Sequence, residues 1–278
     1  METKLNYKRT FLIALAFLSI CSFWQMYDNI IPLILQNTYH LGETMTGAVM
    51  ALDNVLAIFL LPVFGALSDK VHTKLGRRMP FIVAGTILAV IFMMLLPMID
   101  NAEKARWNTG ESFSNQVIFL AVLFFTLVSM GLYRSPAVAL MPDVTPNHLR
   151  SRANAVINLM GAVGGVYALI MIKVLVGKGE TPDYLPLFAS IAAVMAIAVG
   201  ILVITIRENK LREEVEKAEA ANAGTIEEKA MAEGVEAAGE IEAVGDTGEI
   251  KSFDGKKQTG KTEGTKGMPK EVKRSMYF

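Results

Sequence analysis

The chain has 278 residues with no formal net charge, 52% of them hydrophobic and 19% charged. The apolar residues gather in runs of about twenty, which a soluble domain does not need, so the composition describes an integral membrane protein with a solvated tail. A single cysteine, Cys21, excludes an intrachain disulfide and a cysteine-based metal site, and His40, His72 and His148 fall in three separate loops without metal-ligand spacing. No glycine-rich phosphate loop and no strand-to-helix nucleophile turn is present, so neither an enzymatic residue nor a cofactor or metal is expected.

In chain order, Lys4, Lys8 and Arg9 precede an apolar run that reaches about Leu35. It is too long for the core of a signal peptide and has no small-residue cleavage site, so it reads as a retained first span. Six spans are predicted, at about residues 10–35, 45–67, 80–98, 117–141, 153–172 and 185–206. Each is long enough for a bilayer core of ~30 Å at ~1.5 Å per residue. All should be helices, because lipid offers no partner for a backbone amide. With the N-terminus in the cytoplasm, the inner segments hold Lys4, Lys8, Arg9, Lys70, Lys74, Arg77, Arg78, Arg150, Arg152, Arg207, Lys210 and Arg212. The outer loops hold only Lys104, Arg106 and Lys178. That asymmetry places both ends of the six-span unit in the cytoplasm of a cell-membrane protein.

Residues 207–278 form a charged cytoplasmic tail. Its first part is rich in Ala, Glu and Lys, with pairs such as Glu213–Lys217 at helical spacing, so span 6 is expected to continue as a frayed helix. Beyond about Thr225, Gly, Glu and Lys dominate and disorder is expected. The run Arg274-Ser275-Met276-Tyr277-Phe278 resembles the cytoplasmic approach to a seventh span, so the chain is expected to be half of a larger transporter.

Three formal charges lie well inside the spans: Asp28, Asp53 and Arg134. An ionisable group at the bilayer centre costs ~2.5–3.5 kcal/mol on insertion scales, and functional use is the default explanation. Asp28 and Asp53 both fall in the outer halves of their spans, and Arg134 lies ~10 Å from the inner end of span 4. Trp24 and Asp28 share a helix face, and Gln25 and Asn29 share the adjoining one. An aromatic ring beside amides and a carboxylate suits a sugar, whose C–H face stacks while its hydroxyls take directional hydrogen bonds. Asn154 and Asn158 on span 5 are placed to face Arg134. Gly161 and Gly165 form a small-xxx-small packing face.

The loop between spans 2 and 3 holds the sharpest local pattern, Gly65-Ala66-Leu67-Ser68-Asp69-Lys70 followed by Gly76-Arg77-Arg78. Gly65 permits a close helix approach. Asp69, an anion at a helix C-terminus, requires a cationic or helix-N-terminal partner, and Arg77 and Arg78 are suited to carboxylates or lipid phosphate. The stretch GALSDKVHTKLGRRMPFIVAG resembles the loop 2–3 motif of the major facilitator superfamily, more narrowly that of the glycoside–pentoside–hexuronide and sucrose:proton symporters. YRSPAVALMPDVTPNHLRSRANAVINLMGAVGG resembles the span 4 to span 5 region of the same group.

The resemblance implies an all-α fold of twelve helices in two halves, each half a pair of inverted three-helix repeats, of which this chain supplies the N-terminal one. It implies proton- or cation-coupled sugar symport, with H+ as the coupling ion and Na+ as the alternative. Spans 1 and 4 would line the cavity, making Asp28 the leading protonation candidate and Arg134 the group that orients substrate. Asp53, on a flanking helix, would rank below them. It further implies that Asp69 engages the second half and lacks a partner within this chain, and that Asp143, Arg150 and Arg152 join Asp69 in a gating network. The expected partners are the lipid bilayer, a small-molecule substrate and the second six-helix half, with no nucleic acid. The alternatives are another substrate on the same fold, an organic acid or a drug, and a non-transporting six-helix subunit.

Overall fold

A computed structural model of the chain describes residues 5–107, 115–177, 179, 182–217, 219 and 220, all within one compact unit that spans residues 1–225. The expected disorder beyond about residue 225 and the approach to a further span lie outside the described residues.

Six long helices follow one another: α1 (Tyr7–Asn37), α2 (Glu43–Lys70), α3 (Met79–Trp107), α4 (Gln116–Asp143), α5 (Arg150–Leu175) and α6 (Leu185–Thr205). No strand occurs among the described residues. All six helices are long and apolar enough to cross a bilayer. Asn6 opens α1 by accepting from the Arg9 amide at 3.3 Å. Asp183 accepts from the Leu185 amide at 2.9 Å at the start of α6, where a proline occupies the first turn. Prolines inside α1, α2, α3 and α4 are carried by packed membrane helices rather than ending them.

The third span departs from the sequence expectation. α3 continues past Met98 to Trp107, because Asp100 is not a helix-ending surface residue but a fully buried one. Its carboxylate accepts from the Thr38 hydroxyl and from Lys104 Nζ, both at 2.6 Å. Lys104 also donates to the Pro182 carbonyl at 2.6 Å and sits 4.6 Å over the Tyr184 ring. This cluster ties the end of α1, the end of α3 and the entry to α6. Burial, reinforced by the Asp100 charge, pushes the Tyr184 phenol up. The same causes, with Glu103 added, act on Tyr39.

Packing follows an exchange of the first three helices with the last three. The α1–α5 pair corresponds to α4–α2, and α1–α6 corresponds to α4–α3, while α1–α4 and α3–α6 each correspond to themselves. The smaller α1–α2 and α5–α6 contacts have no counterpart of similar extent, but the main pairing is the one two inverted three-helix repeats give. Glycines set the closest approaches. A Cβ on Gly164 would strike the Leu18 carbonyl of α1, and one on Gly85 would lie 2.6 Å from the Tyr133 amide nitrogen of α4. Gly161 and Gly164 are thus the glycines buried against α1, while Gly165 is half-buried beside Gln25. The Ser22 hydroxyl lies between the Leu18 and Gly164 carbonyls, at 2.8 and 2.9 Å, and the Tyr133 hydroxyl meets Ser19 Oγ at 2.6 Å. These bonds satisfy buried hydroxyls where α1 meets α5 and α4.

Span 6 does not simply run on. The chain is extended at Ile206, and residues 208–217 form a separate helix. Leu211 and Val215 of this helix are buried, lining a pocket with Leu5, Ile13, Val144 and Leu149 at the end of the bundle that carries loops 2–3 and 4–5. Arg9 pairs with Glu214 at 2.7 Å, and Asn209 Nδ2 donates to the Thr73 and Lys74 carbonyls at 3.1 and 3.3 Å.

Candidate functional site

Two groups of polar and charged residues stand out. The first lies where α1, α2 and α4 meet. Arg134 of α4 lies with its guanidinium 5.5 Å over the Trp24 ring of α1. Trp24 is held edge-on by Phe23 and Tyr27, each with centroids 5.4 Å away. A cation over an indole face is worth ~0.5–1 kcal/mol when exposed and ~2 or more when desolvated. Asp53 of α2 lines the same narrow crevice with Trp24, Gly131 and Arg134. Among the described residues no ion pair joins Asp53 to Arg134, and the Asp53 carboxylate accepts from Asn54 Nδ2 at 2.9 Å. Among the described residues the buried Trp24 indole N–H has no hydrogen-bond partner.

Asp28 is exposed one turn beyond Trp24, outside that crevice. The neighbouring face of α1 turns toward α5: Gln25 Oε1 lies near Gly165, and Asn29 Nδ2 is engaged with the Gln25 carbonyl at 2.6 Å. Asn154 and Asn158 are exposed on α5, which packs chiefly on α1, and no hydrogen bond joins either to Arg134 among the described residues. The structure therefore brings Trp24, Asp53 and Arg134 together and leaves Asp28, Asn29 and Asn158 open to the exposed side of the unit.

The second group lies at the loop 2–3 end. Arg78, almost fully buried, donates through Nε to Asp143 Oδ2 at 3.0 Å and through NH2 to Asp69 Oδ1 at 2.6 Å. Its NH1 donates to Ser68 Oγ and, at 3.2 Å, to the Gly65 carbonyl. Arg77 donates to the same Asp143 oxygen at 3.0 Å and lies 3.7 Å from Asp69. Asp69 is thus paired inside this chain, which corrects the expectation that its partner is in a second half. Gly65 leaves room for Ser135, whose hydroxyl donates to the Leu61 carbonyl at 2.7 Å.

Arg150 and Arg152 do not join the network. Arg150 caps the end of α4 by donating to the Pro142 and Thr145 carbonyls at 2.9 and 3.3 Å, and Arg152 is exposed. The physical reason is position: both arginines stand beyond the turn at Asn147–Leu149, and Arg150 is taken up by carbonyls at and just after the end of α4.

The residue that sequence reasoning missed is Glu208. Its carboxylate is 1% exposed and accepts from three consecutive amides at the start of α3: Arg77 to Oε1 at 3.0 Å, Arg78 to both oxygens at 3.0 Å, and Met79 to Oε2 at 3.1 Å. Those amides are the donors a helix start leaves without intrahelical partners, at the positive end of its dipole. Gly76 makes room: its φ is +124°, and a Cβ there would collide with the Glu208 side chain. In the sequence Glu208 is one acid among many in a charged stretch; its only signal is that it follows span 6 directly.

Against known proteins, residues 5–248 match the Major Facilitator Superfamily family model. The chain is similar to the sucrose transport protein SUC4 of Arabidopsis thaliana, 35% identical over 116 residues, 39% of this chain and 22% of that protein. It is similar to SUT3 of Oryza sativa subsp. japonica, 26% identical over 137 residues, 46% of this chain and 27% of the relative. SUT4 of Oryza sativa subsp. indica is 24% identical over 151 residues, 51% of this chain and 25% of the relative. The matched stretches span about a quarter of the length of these curated relatives. The all-helical bundle of two inverted repeats and the match over most of its length establish that the chain belongs to the Major Facilitator Superfamily.

Proposed function

We propose that these six helices form one half of a secondary transporter that carries a sugar in symport with a cation, H+ in the first instance. The observation that carries the reading is the Arg134–Trp24 stack in a crevice shared with Asp53, with an unsatisfied indole N–H beside it. A sugar ring that stacks on Trp24 displaces the guanidinium from that face, and both the freed arginine and the indole N–H then donate to hydroxyls. A carboxylate close to Arg134 supplies a group whose protonation changes the charge of the site, which is the minimum for coupling a cation gradient to substrate binding. The names of the similar proteins reported above, sucrose transport proteins, support the substrate class.

In the proposed orientation the loop 2–3 end is cytoplasmic, and the Arg77, Arg78, Asp69 and Asp143 network holds that end of α2, α3 and α4 in one arrangement. The second half, in cis or in trans, supplies the other wall of the cavity. Arg134 has no carboxylate within ion-pair distance among the described residues, and this favours, as a second reading, an organic acid bound directly by the guanidinium.

The test is uptake into proteoliposomes by the protein with its second half supplied, using radiolabelled disaccharides and organic acids, with and without an imposed proton gradient. Gradient-driven sugar accumulation that Arg134→Lys and Trp24→Phe each reduce at least tenfold supports the proposal. Accumulation of an organic acid instead moves the substrate to the second reading, and uptake indifferent to both substitutions ends the claim for this crevice.

A further inference from the structure

Away from this crevice, α3 and α6 pack side by side, with Ile87, Ile91 and Ile204 exposed. A cleft of about 410 Å³ runs between them, lined by Val83, Ile87, Val90, Val199, Val203 and Ile204. Val203 is shared with a second recess of about 360 Å³ at the loop 2–3 end, whose lining carries Lys74, Arg207 and Lys210. All three cations are exposed, and none has an ion-pair partner among the described residues. The one carboxylate in the recess, Glu208, is buried and already committed to the α3 amides.

Taken singly, each feature is ordinary: basic residues flank membrane spans, and apolar side chains face lipid. Their adjacency is what selects a ligand. An uncompensated basic recess adjoins, at the shared residue Val203, a largely apolar cleft that follows α3 from Val83 to Ile91, about 12 Å of helix. A free anion leaves the cleft unused, and a neutral lipid leaves the three cations unpaired.

We propose that this is a binding site for an anionic glycerophospholipid, with its phosphate among Lys74, Arg207 and Lys210 and one acyl chain lying between α3 and α6. The lipid belongs to the leaflet on the loop 2–3 side, the cytoplasmic one in the orientation proposed above; the binding chemistry is independent of the transported substrate. Its headgroup bridges loop 2–3 to the segment after α6, the same two segments that Asn209 and Glu208 already join. Occupancy therefore reinforces the Glu208 cap of α3.

The experiment uses the 278-residue chain purified in a neutral detergent and titrated with phosphatidylglycerol, phosphatidylcholine or inorganic phosphate, with native mass spectrometry reading lipid retention and a thermal melt reading stabilisation. Phosphatidylglycerol is expected to bind and raise the melting midpoint, while phosphatidylcholine and phosphate at the same concentration do not. Lys74→Gln with Lys210→Gln should weaken phosphatidylglycerol binding about tenfold or more, from the contribution of each basic residue near a headgroup. Val203→Trp, which fills the cleft and keeps every charge, should weaken it as well. The matched control, Lys8→Gln with Lys70→Gln, should leave it within about twofold. Equal losses in the two charge-matched doubles, or phosphatidylglycerol binding unchanged in the Lys74/Lys210 double, would overturn the site. Stabilisation by inorganic phosphate alone would replace the lipid by a free anion and overturn the proposal too.

Discussion

The Glu208 cap makes the most exacting prediction. Glu208→Ala removes one buried carboxylate and strands three amides, of which those of Arg78 and Met79 belong to buried residues. Hydrogen bonds to a charged group contribute ~1.5–3 kcal/mol each, and removing one partner of a buried charged cluster costs ~3–5 kcal/mol once partial rehydration is allowed for. We take ~3–5 kcal/mol for Glu208→Ala, and ~1–2 kcal/mol for Glu208→Gln, which keeps an acceptor and loses the charge at the helix end. At ~2–4 °C per kcal/mol for a domain of this size, the alanine variant should melt ~6–20 °C lower. Gly76→Ala should reproduce much of this loss, since the added Cβ both strains a backbone at φ +124° and evicts Glu208. The double variant should then be clearly less destabilised than the sum of the singles, because both act on one contact. The assay is thermal unfolding of purified protein in detergent, followed by circular dichroism, with exposed Glu213→Ala as reference. A Glu208→Ala midpoint within 2 °C of that reference, or strict additivity with Gly76→Ala, would refute the reasoning.

Other predictions follow from the same geometry. Asp143→Asn should destabilise by ~1–3 kcal/mol, because one oxygen receives both Arg77 and Arg78 in a largely buried place; Asp69→Asn, half exposed, should cost ~0–1 kcal/mol, and a thermal melt that reverses the order counts against the network as drawn. Gly164→Ala should cost ~1–3 kcal/mol by forcing α1 and α5 apart, whereas Gly165→Ala, with 3.6 Å to Gln25 Oε1, should be near neutral in the same melt. In the transporter with its second half supplied, Asp53→Asn should impair proton-driven accumulation more than Asp28→Asn while sparing counterflow; full accumulation by Asp53→Asn would remove it from coupling.

Much of the fold was legible because the bilayer leaves few choices. Six apolar runs could only be helices, and the family resemblance anticipated the main helix pairings. What hydropathy could not supply was where polar residues continue a helix rather than end it. Asp100 and Lys104 look like the start of a loop, yet Thr38 and the Pro182 carbonyl, distant in sequence, make them interior. The small-residue pattern likewise predicted that α5 packs through glycine, but the register that buries Gly164 instead of Gly165 depends on where the Leu18 carbonyl stands.

The site divides along the same line. Charge inside a span is visible in sequence, so Asp28, Asp53 and Arg134 all stood out as candidates. Which of them lie together was not visible, because depth along separate helices says nothing about which faces meet. Fold analogy set α1 and α4 together and put α2 at the margin. In the structure α2 packs on α4 and its Asp53 comes to the crevice where Arg134 covers Trp24. The same two helices carry the loop 2–3 network at their ends: α2 delivers Gly65, Ser68 and Asp69, and α4 delivers Asp143. A relative shift of α2 against α4 would therefore alter the Asp53–Arg134 spacing and the arginine cluster at once, with Ser135 bonded to Leu61 between them as the contact that must slide or break. The crevice and the network are then two ends of one helix pair, an arrangement that spacing along a single chain cannot reveal and that packing of α2 on α4 makes physical.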